Sequence, residues 1–180
     1  MSLNNPAGLE LIPIDEADCP WVRNFIASRW GSPEIVVHGV VYLVETLQGC
    51  KAVIDGYPVG LITWNIEGDV CEIVSLDSLQ PRCGIGGALL KTAEAAARSA
   101  GCRYCMIVTT NDNLSAQQFY TSRGYHITRI DRGAVNQARI IKPAIPLVNK
   151  DGVPITDEIF FVNSLWEHET PGQAVYFKIK

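Results

Sequence analysis

The stretch Leu79-Gln-Pro-Arg-Cys-Gly-Ile-Gly-Gly-Ala-Leu-Leu90 sets Gly84, Gly86 and Gly87 between a β-patterned run and a helical one. Glycine carries no Cβ, so such a turn brings backbone N–H groups close to an anion without side chains in the way. A helix starting there adds its first N–H groups, which have no acceptor within the helix, and the positive end of its dipole. That is the chemistry of holding a phosphate, although tight turns use glycine for purely structural reasons as well. No Gly-Lys-Ser/Thr follows the glycines, which disfavours an ATP-binding P-loop.

The run before the turn, Val70 to Leu79, carries two carboxylates, Glu72 and Asp77. Period-2 alternation puts them on opposite faces of a strand, unless a bulge resets the phase. A carboxylate in an apolar strand lies either at an exposed margin or in a cleft, where burial favours its proton and makes it a useful base. On the residues alone the exposed margin is expected; position beside the glycine turn favours Glu72 for the second role. Cys102-x-x-Cys105 has redox or metal spacing, but no second cysteine pair or nearby histidine completes a zinc set. Cys105 falls in an apolar run, so both read as small core residues. His38, His126 and His168 form no ligand pair at helical spacing, and no metal is expected.

These residues need a scaffold, and the chain patterns one. Residues 1–8 read as a flexible lead and Leu9 to Ile14 as a short strand. Asp15, Asp18 and Pro20 favour a helix start near Ala17, and residues 21, 22, 25, 26 and 30 give that helix an apolar packing face. Gly31-Ser-Pro33 ends it. Ile35 to Leu47 is ambiguous between strand and helix; within reach of it, Trp30 reads as packing and His38 as a surface residue. Lys51–Ile54 and Tyr57–Ile66 are strands joined by Asp55-Gly56, a tight hairpin turn, and Glu67-Gly-Asp69 turns into Val70–Leu79. After the glycines, Leu89, Leu90, Ala93, Ala96, Ala97 and Ala100 form a helical apolar stripe closed by Gly101.

Arg103 to Thr109 reads as a buried strand, completing a strand–helix–strand crossover. Thr110-Asn-Asp-Asn113 is a polar strand end, Asn113 a cap for the helix Ser115–Arg123, and Gly124 its stop. Tyr125–Ile130 is a strand and Ala134–Ile141 a short helix. Pro143 and Pro146 force an extended connection, and Asp151-Gly152 turns into a last strand near Glu158–Val162. The tail 163–180, with Trp166, Val175, Tyr176 and Phe177, has no assigned mechanism and favours packing on its own domain or on a second copy as a homodimer.

Composition bounds the rest. The 180 residues fit one domain with a real core. The chain is 47% hydrophobic and 19% charged with a net charge of -4, which argues against a broad nucleic-acid surface. No run resembles a transmembrane span, and the N-terminus lacks a signal-peptide pattern, so a cytoplasmic location away from membranes is the expectation. Six scattered cysteines do not read as a disulfide framework.

Three signals in order carry a resemblance. They are a strand ending in a Gly-x-Gly turn, a strand ending in a polar cluster, and Asn113-x-x-Ala116-x-x-Phe-Tyr120-x-x-x-Gly124-Tyr125. Together the chain resembles the GCN5-related N-acetyltransferase (GNAT) superfamily, best over about residues 50–130. Glu72–Leu79, Thr109–Asn113 and the Arg132…Lys142-Pro…Pro146 segment are similar to a bacterial branch of unsettled substrate. The resemblance implies an α/β (α+β) fold: a mixed, mostly antiparallel central sheet with a splayed parallel strand pair, flanked by helices.

The resemblance also implies roles. Arg82, Cys83, Gly84, Ile85, Gly86 and Gly87 would hold the pyrophosphate of acetyl-CoA through backbone N–H groups. Leu76, Asp77, Ser78 and Leu79 would pair with its pantetheine arm like a further strand. Asn113 and Ala116 would complete the cofactor contacts, Asn113 by hydrogen-bonding that arm. Tyr120 matches the general acid that protonates the departing thiolate, and Glu72 the general base. A backbone N–H near Leu76 would meet the oxyanion. One departure stands out: Pro81 occupies a position where the family has Gln or Arg, so one amide is missing from the turn, with Arg82 beside it as a substitute phosphate partner.

The expected function is acetyl transfer from acetyl-CoA to a small-molecule or peptide amine, by direct attack in a ternary complex. The alternative is a non-catalytic acyl-CoA-binding or regulatory module. A purely structural module would have no need of the polar Thr109–Asn113 cluster beside Tyr120. Direct transfer leaves the Cys83 thiol without a required role.

Overall fold

The computed structural model describes residues 6–166; the extreme lead and the tail beyond Trp166 lie outside the described residues. Its elements are β1 (Glu10–Pro13), α1 (Cys19–Trp30), β2 (Glu34–Val37), β3 (Val40–Leu43), β4 (Gln48–Ile54), β5 (Tyr57–Glu67) and β6 (Val70–Ser78). Then come α2 (Ile85–Ser99), β7 (Tyr104–Thr110), α3 (Leu114–Thr121), β8 (His126–Asp131), α4 (Ala134–Ile141) and β9 (Glu158–Ser164). They form two compact units. One is the chain up to Ile35 with Tyr42–Arg103; the other is Val36–Val41 with the chain from Tyr104 on.

The first unit is an antiparallel ladder in the order β1-β4-β5-β6. Asp55 and Gly56 both have positive φ (52° and 80°), the twist that a two-residue hairpin requires. A helical turn capped by the Asp15 carboxylate leads into α1, with Pro20 in its first turn. Val22, Phe25 and Ile26 of α1 pack with Ile35, Val44, Leu61 and Val74 against one face of the ladder.

On the other face lies α2, against β4, β5 and β6. Gly60 permits that approach: a Cβ there would sit 2.9 Å from the Asp77 carbonyl and 3.1 Å from the side chains of Ile85 and Leu89. Ala100, expected in the apolar stripe, is exposed because the helix has already ended beneath it.

The second unit pairs β7, β9 and β8 antiparallel in that order. Its core holds Tyr104, Met106, Ile107, Tyr125, Phe160 and Phe161. Cys105 is buried here, as is Cys102 in the first unit, as their apolar setting implied. The final strand runs two residues past its expected end, to Ser164, with Leu165 still buried; the tail therefore begins later than residue 163. Among the described residues no helix is long and apolar enough to cross a membrane.

The ambiguous run at 35–47 is a β-hairpin. β2 and β3 form a two-stranded ribbon, and the residues between them, His38 and Gly39, have φ of 40° and 80°. A short 3-10 turn, Val44–Thr46, follows directly and buries Val44.

Candidate active site

The first unit brings together Glu72, the strand end Leu76–Leu79 and the turn Arg82–Gly87. Glu72 and Asp77 were expected on opposite faces of the strand, and they share one. Across the ladder Leu61 faces Asp77, Thr63 faces Ser75, and Asn65 faces Glu72, so a single face of β5 meets all three β6 residues. The register slips by one between Thr63 and Trp64, leaving Val74 as the extra residue. That bulge supplies the phase reset.

Exposure at a margin is also not what Glu72 does. It is only 7% exposed, and its Oε2 accepts a hydrogen bond from the Tyr42 hydroxyl at 2.7 Å. Between the two carboxylates, the buried hydroxyls of Thr63 and Ser75 bond each other at 2.7 Å. Asp77 is tied to the end of α1: it accepts from Trp30 Nε1 at 2.6 Å and Arg29 Nε at 3.2 Å. Trp30, expected in the packing face, is instead 46% exposed, because its indole N–H turns to this carboxylate.

The turn is organised by Ser78, whose hydroxyl accepts from the Gln80 N–H and donates to the Gln80 carbonyl (3.2 and 3.1 Å). Leu79, half exposed, still gives its N–H to Val59. Arg82 and Gly84 are left-handed (φ 66° and 86°). For glycine this is inexpensive; for Arg82 it is strain, of the kind that collects at ligand clamps.

Ile85, Gly86 and Gly87 are the first turn of α2 rather than part of the loop. The helix ladder starts with the Ala88 N–H on the Gly84 carbonyl, so the amides of 85–87 precede it. The Ile85 side chain is fully buried, leaving that residue its amide alone. Arg82 and Cys83 are exposed.

The second unit brings together Asn113, Ala116 and Tyr120 on α3. Asn113 Oδ1 caps the helix, accepting from the Ala116 N–H at 3.2 Å and the Ser115 hydroxyl at 3.1 Å; the Ala116 amide is thereby used. Tyr120 is buried, its ring centroid 5.4 to 6.0 Å from those of Phe119, Phe161 and Tyr125.

The polar cluster before α3 has structural work of its own, contrary to the expectation that only a ligand would require it. Asn111 Oδ1 accepts from the N–H groups of Thr156 and Asp157 (2.9 and 3.0 Å), and its amide donates to the Pro154 carbonyl. It pins the entry to β9. Thr110 donates to Asp112 at 2.6 Å.

Sequence reasoning missed two residues. One is Tyr42, whose run gave no clear element and whose partner lies 30 residues on. The other is Glu158, at the start of β9 and 4% exposed, whose two oxygens accept the His38 N–H at 3.1 Å each. His38 is accordingly half-buried rather than on the surface.

Burial pushes the Glu158 carboxyl up from the usual carboxylate range, and the His38 N–H opposes this in part. A carboxyl whose folded value lies above its unfolded one adds most stability at low pH and loses it as pH rises through the folded value. Glu158→Gln is expected to flatten the pH dependence of Tm across that window, the variant gaining on the parent as pH rises. Parallel Tm curves would show that ionising Glu158 costs the fold nothing.

The profile described as "Acetyltransferase (GNAT) family" matches residues 29–125. The chain belongs to the GNAT acetyltransferase family. The Bacillus subtilis (strain 168) protein YdhI, uncharacterized, is 41% identical over 152 residues, spanning 84% of this chain and 95% of YdhI.

Among solved structures, an IAA acetyltransferase from Bacillus cereus ATCC 14579 superposes with a TM-score of 0.65 at 17% identity, covering 87% of this chain and 99% of that one. A GNAT acetyltransferase from Elizabethkingia anophelis, solved with acetyl-CoA bound, gives 0.61 at 16%, covering 88% and 99%. At such identities the likeness is one of fold, and it agrees with the mixed α/β, mostly antiparallel architecture of this GNAT chain.

Proposed function

We propose that this protein transfers the acetyl group of acetyl-CoA to a primary amine by direct attack in a ternary complex. The observation that carries the reading is the buried Glu72 on the same strand, β6, whose end runs into the Gly84-Ile-Gly86 start of α2. A base and an anion-binding helix start are thus built on one continuous segment. The acetyl-CoA seen in the Elizabethkingia relative supports the choice of donor.

In this reading the amides of Ile85, Gly86 and Gly87 and the Arg82 side chain hold the pyrophosphate. The backbone of Leu76–Leu79 pairs with the pantetheine arm, Asn113 bonds it through its side-chain amide, and a backbone N–H near Leu76 meets the oxyanion. Pro81 withholds one amide, which Arg82 offsets.

Glu72 takes one proton from the amine as nitrogen attacks the thioester carbon. The C–N bond forms and the C–S bond breaks. The electron pair leaves on sulfur, and Tyr120 supplies the proton that converts the thiolate to free CoA thiol. No covalent enzyme intermediate is required, so Cys83 stays outside the chemistry.

The test is calorimetric titration of reduced protein with acetyl-CoA, with CoA and ATP as controls, followed by thiol release across a panel of primary amines. Saturable acetyl-CoA binding with amine-dependent thiol release is the expected result. Binding without release from any amine would favour an acyl-CoA-binding module. No binding would mean that the turn around Pro81 has lost its anion site.

A further inference from the structure

Tyr42 is held from two sides. Its ring packs against the cluster of Val22, Phe25, Ile26, Ile35, Val44, Leu61 and Val74, and its hydroxyl reaches Glu72 Oε2 at 2.7 Å. Two separate features of the fold create this meeting. The bulge at Val74 turns Glu72 to the α1 face of the ladder, and β3 carries Tyr42 to that same face. Without the bulge, alternation would send Glu72 to the α2 face and the phenol would have no carboxylate to meet.

We propose that Tyr42 is the positioning residue of the Glu72 base, fixing the rotation in which the carboxylate meets the amine. The inference rests on the role proposed for Glu72 above. Its physical basis is the kind of donor. A neutral hydroxyl favours the carboxylate over the acid, but by less than a cation would.

The phenol itself does not compete for the role. Burial, and next the charge and hydrogen bond of Glu72, push its ionisation far above the ordinary tyrosine range, so it stays a donor. Of the other groups around the pair, Glu67 on β5 acts on the phenol in the same direction and Asn65 opposes it. On the α1 side Arg23 pairs with Glu45 and Arg29 with Asp77; nearer β1, Lys51 pairs with Asp18.

The experiment uses the full chain, labelled with 13C at glutamate side-chain carboxyls. The Glu72 resonance is the one lost in Glu72→Gln, and its titration is followed in the parent and in Tyr42→Phe. In Tyr42→Phe the midpoint should move to higher pH by about one unit, the size of one lost hydrogen bond to a charged group. With an amine from the panel that turns over, the acidic limb of the kcat/KM profile should move by the same amount. The rate should fall about tenfold on that limb and recover above it.

An unmoved midpoint overturns the positioning role alone and leaves the base untouched. A moved midpoint with an unmoved limb, or Glu72→Gln with the parent's rate, sinks the base assignment and the present inference with it. A uniform loss of rate at every pH, with a lowered Tm, would show that Tyr42 only packs.

Discussion

Gly86→Glu is expected to abolish acetyl-CoA binding in the calorimeter while leaving the fold intact. Gly86 is the second residue of α2, in the turn whose amides precede the helix ladder. A carboxylate there sets negative charge where the proposed reading seats the pyrophosphate, and its side chain fills space that such an anion needs. Hydrogen bonds to a charged group are worth about 1.5–3 kcal/mol each. Losing two, with repulsion added, weakens binding by about 10²-fold at the least.

The same change is mild for the helix. An acidic residue in the first turn interacts favourably with the dipole, and glutamate is a better helix former than glycine. Tm should therefore hold or rise. Undiminished acetyl-CoA binding by Gly86→Glu would place the phosphate site elsewhere.

Local chemistry made this part of the molecule readable in advance. Gly84 in the turn after an apolar strand, Asp55-Gly56 between two strands, the Asn113 cap and the Ala134–Ile141 helix are all decided within a few residues of chain, and each stands where expected. Glu72 was found by the same logic, but its surroundings were not. A bulge is set by how two strands pair, and nothing in Val70–Leu79 taken alone reports the slip at Val74.

Tyr42 and Trp30 show the same limit. Each is an amphipathic side chain whose ring follows the local apolar pattern, while its polar atom goes to a carboxylate 30 or 47 residues away. Asn111, within the cluster at 110–113, was misread for the opposite reason. Polar residues at a strand end suggested a ligand, yet Asn111 is occupied by the backbone of a segment 45 residues on. Periodicity reports which face is apolar; it carries no information on which distant backbone needs a donor.

Tyr120→Phe is expected to lower kcat by about 10²–10⁴, the range for loss of a positioned proton donor, with acetyl-CoA affinity nearly unchanged. The ring sits among Phe119, Tyr125 and Phe161, and phenylalanine fills the same space, so no cavity opens and Tm should change little. The backbone carbonyl of residue 120, which accepts the N–H groups of Arg123 and Tyr125, is untouched by the substitution. The effect is thus confined to the hydroxyl.

In the proposed reaction the hydroxyl acts on the departing sulfur, so its loss should fall on kcat and kcat/KM alike, the pattern of an interaction made only in the transition state. A thioester with a more acidic thiol needs less help in leaving, so such a donor should narrow the gap between variant and parent. Equal loss of binding and rate, or a gap that does not narrow, would remove Tyr120 from the chemistry and leave it as a core aromatic whose ring alone matters.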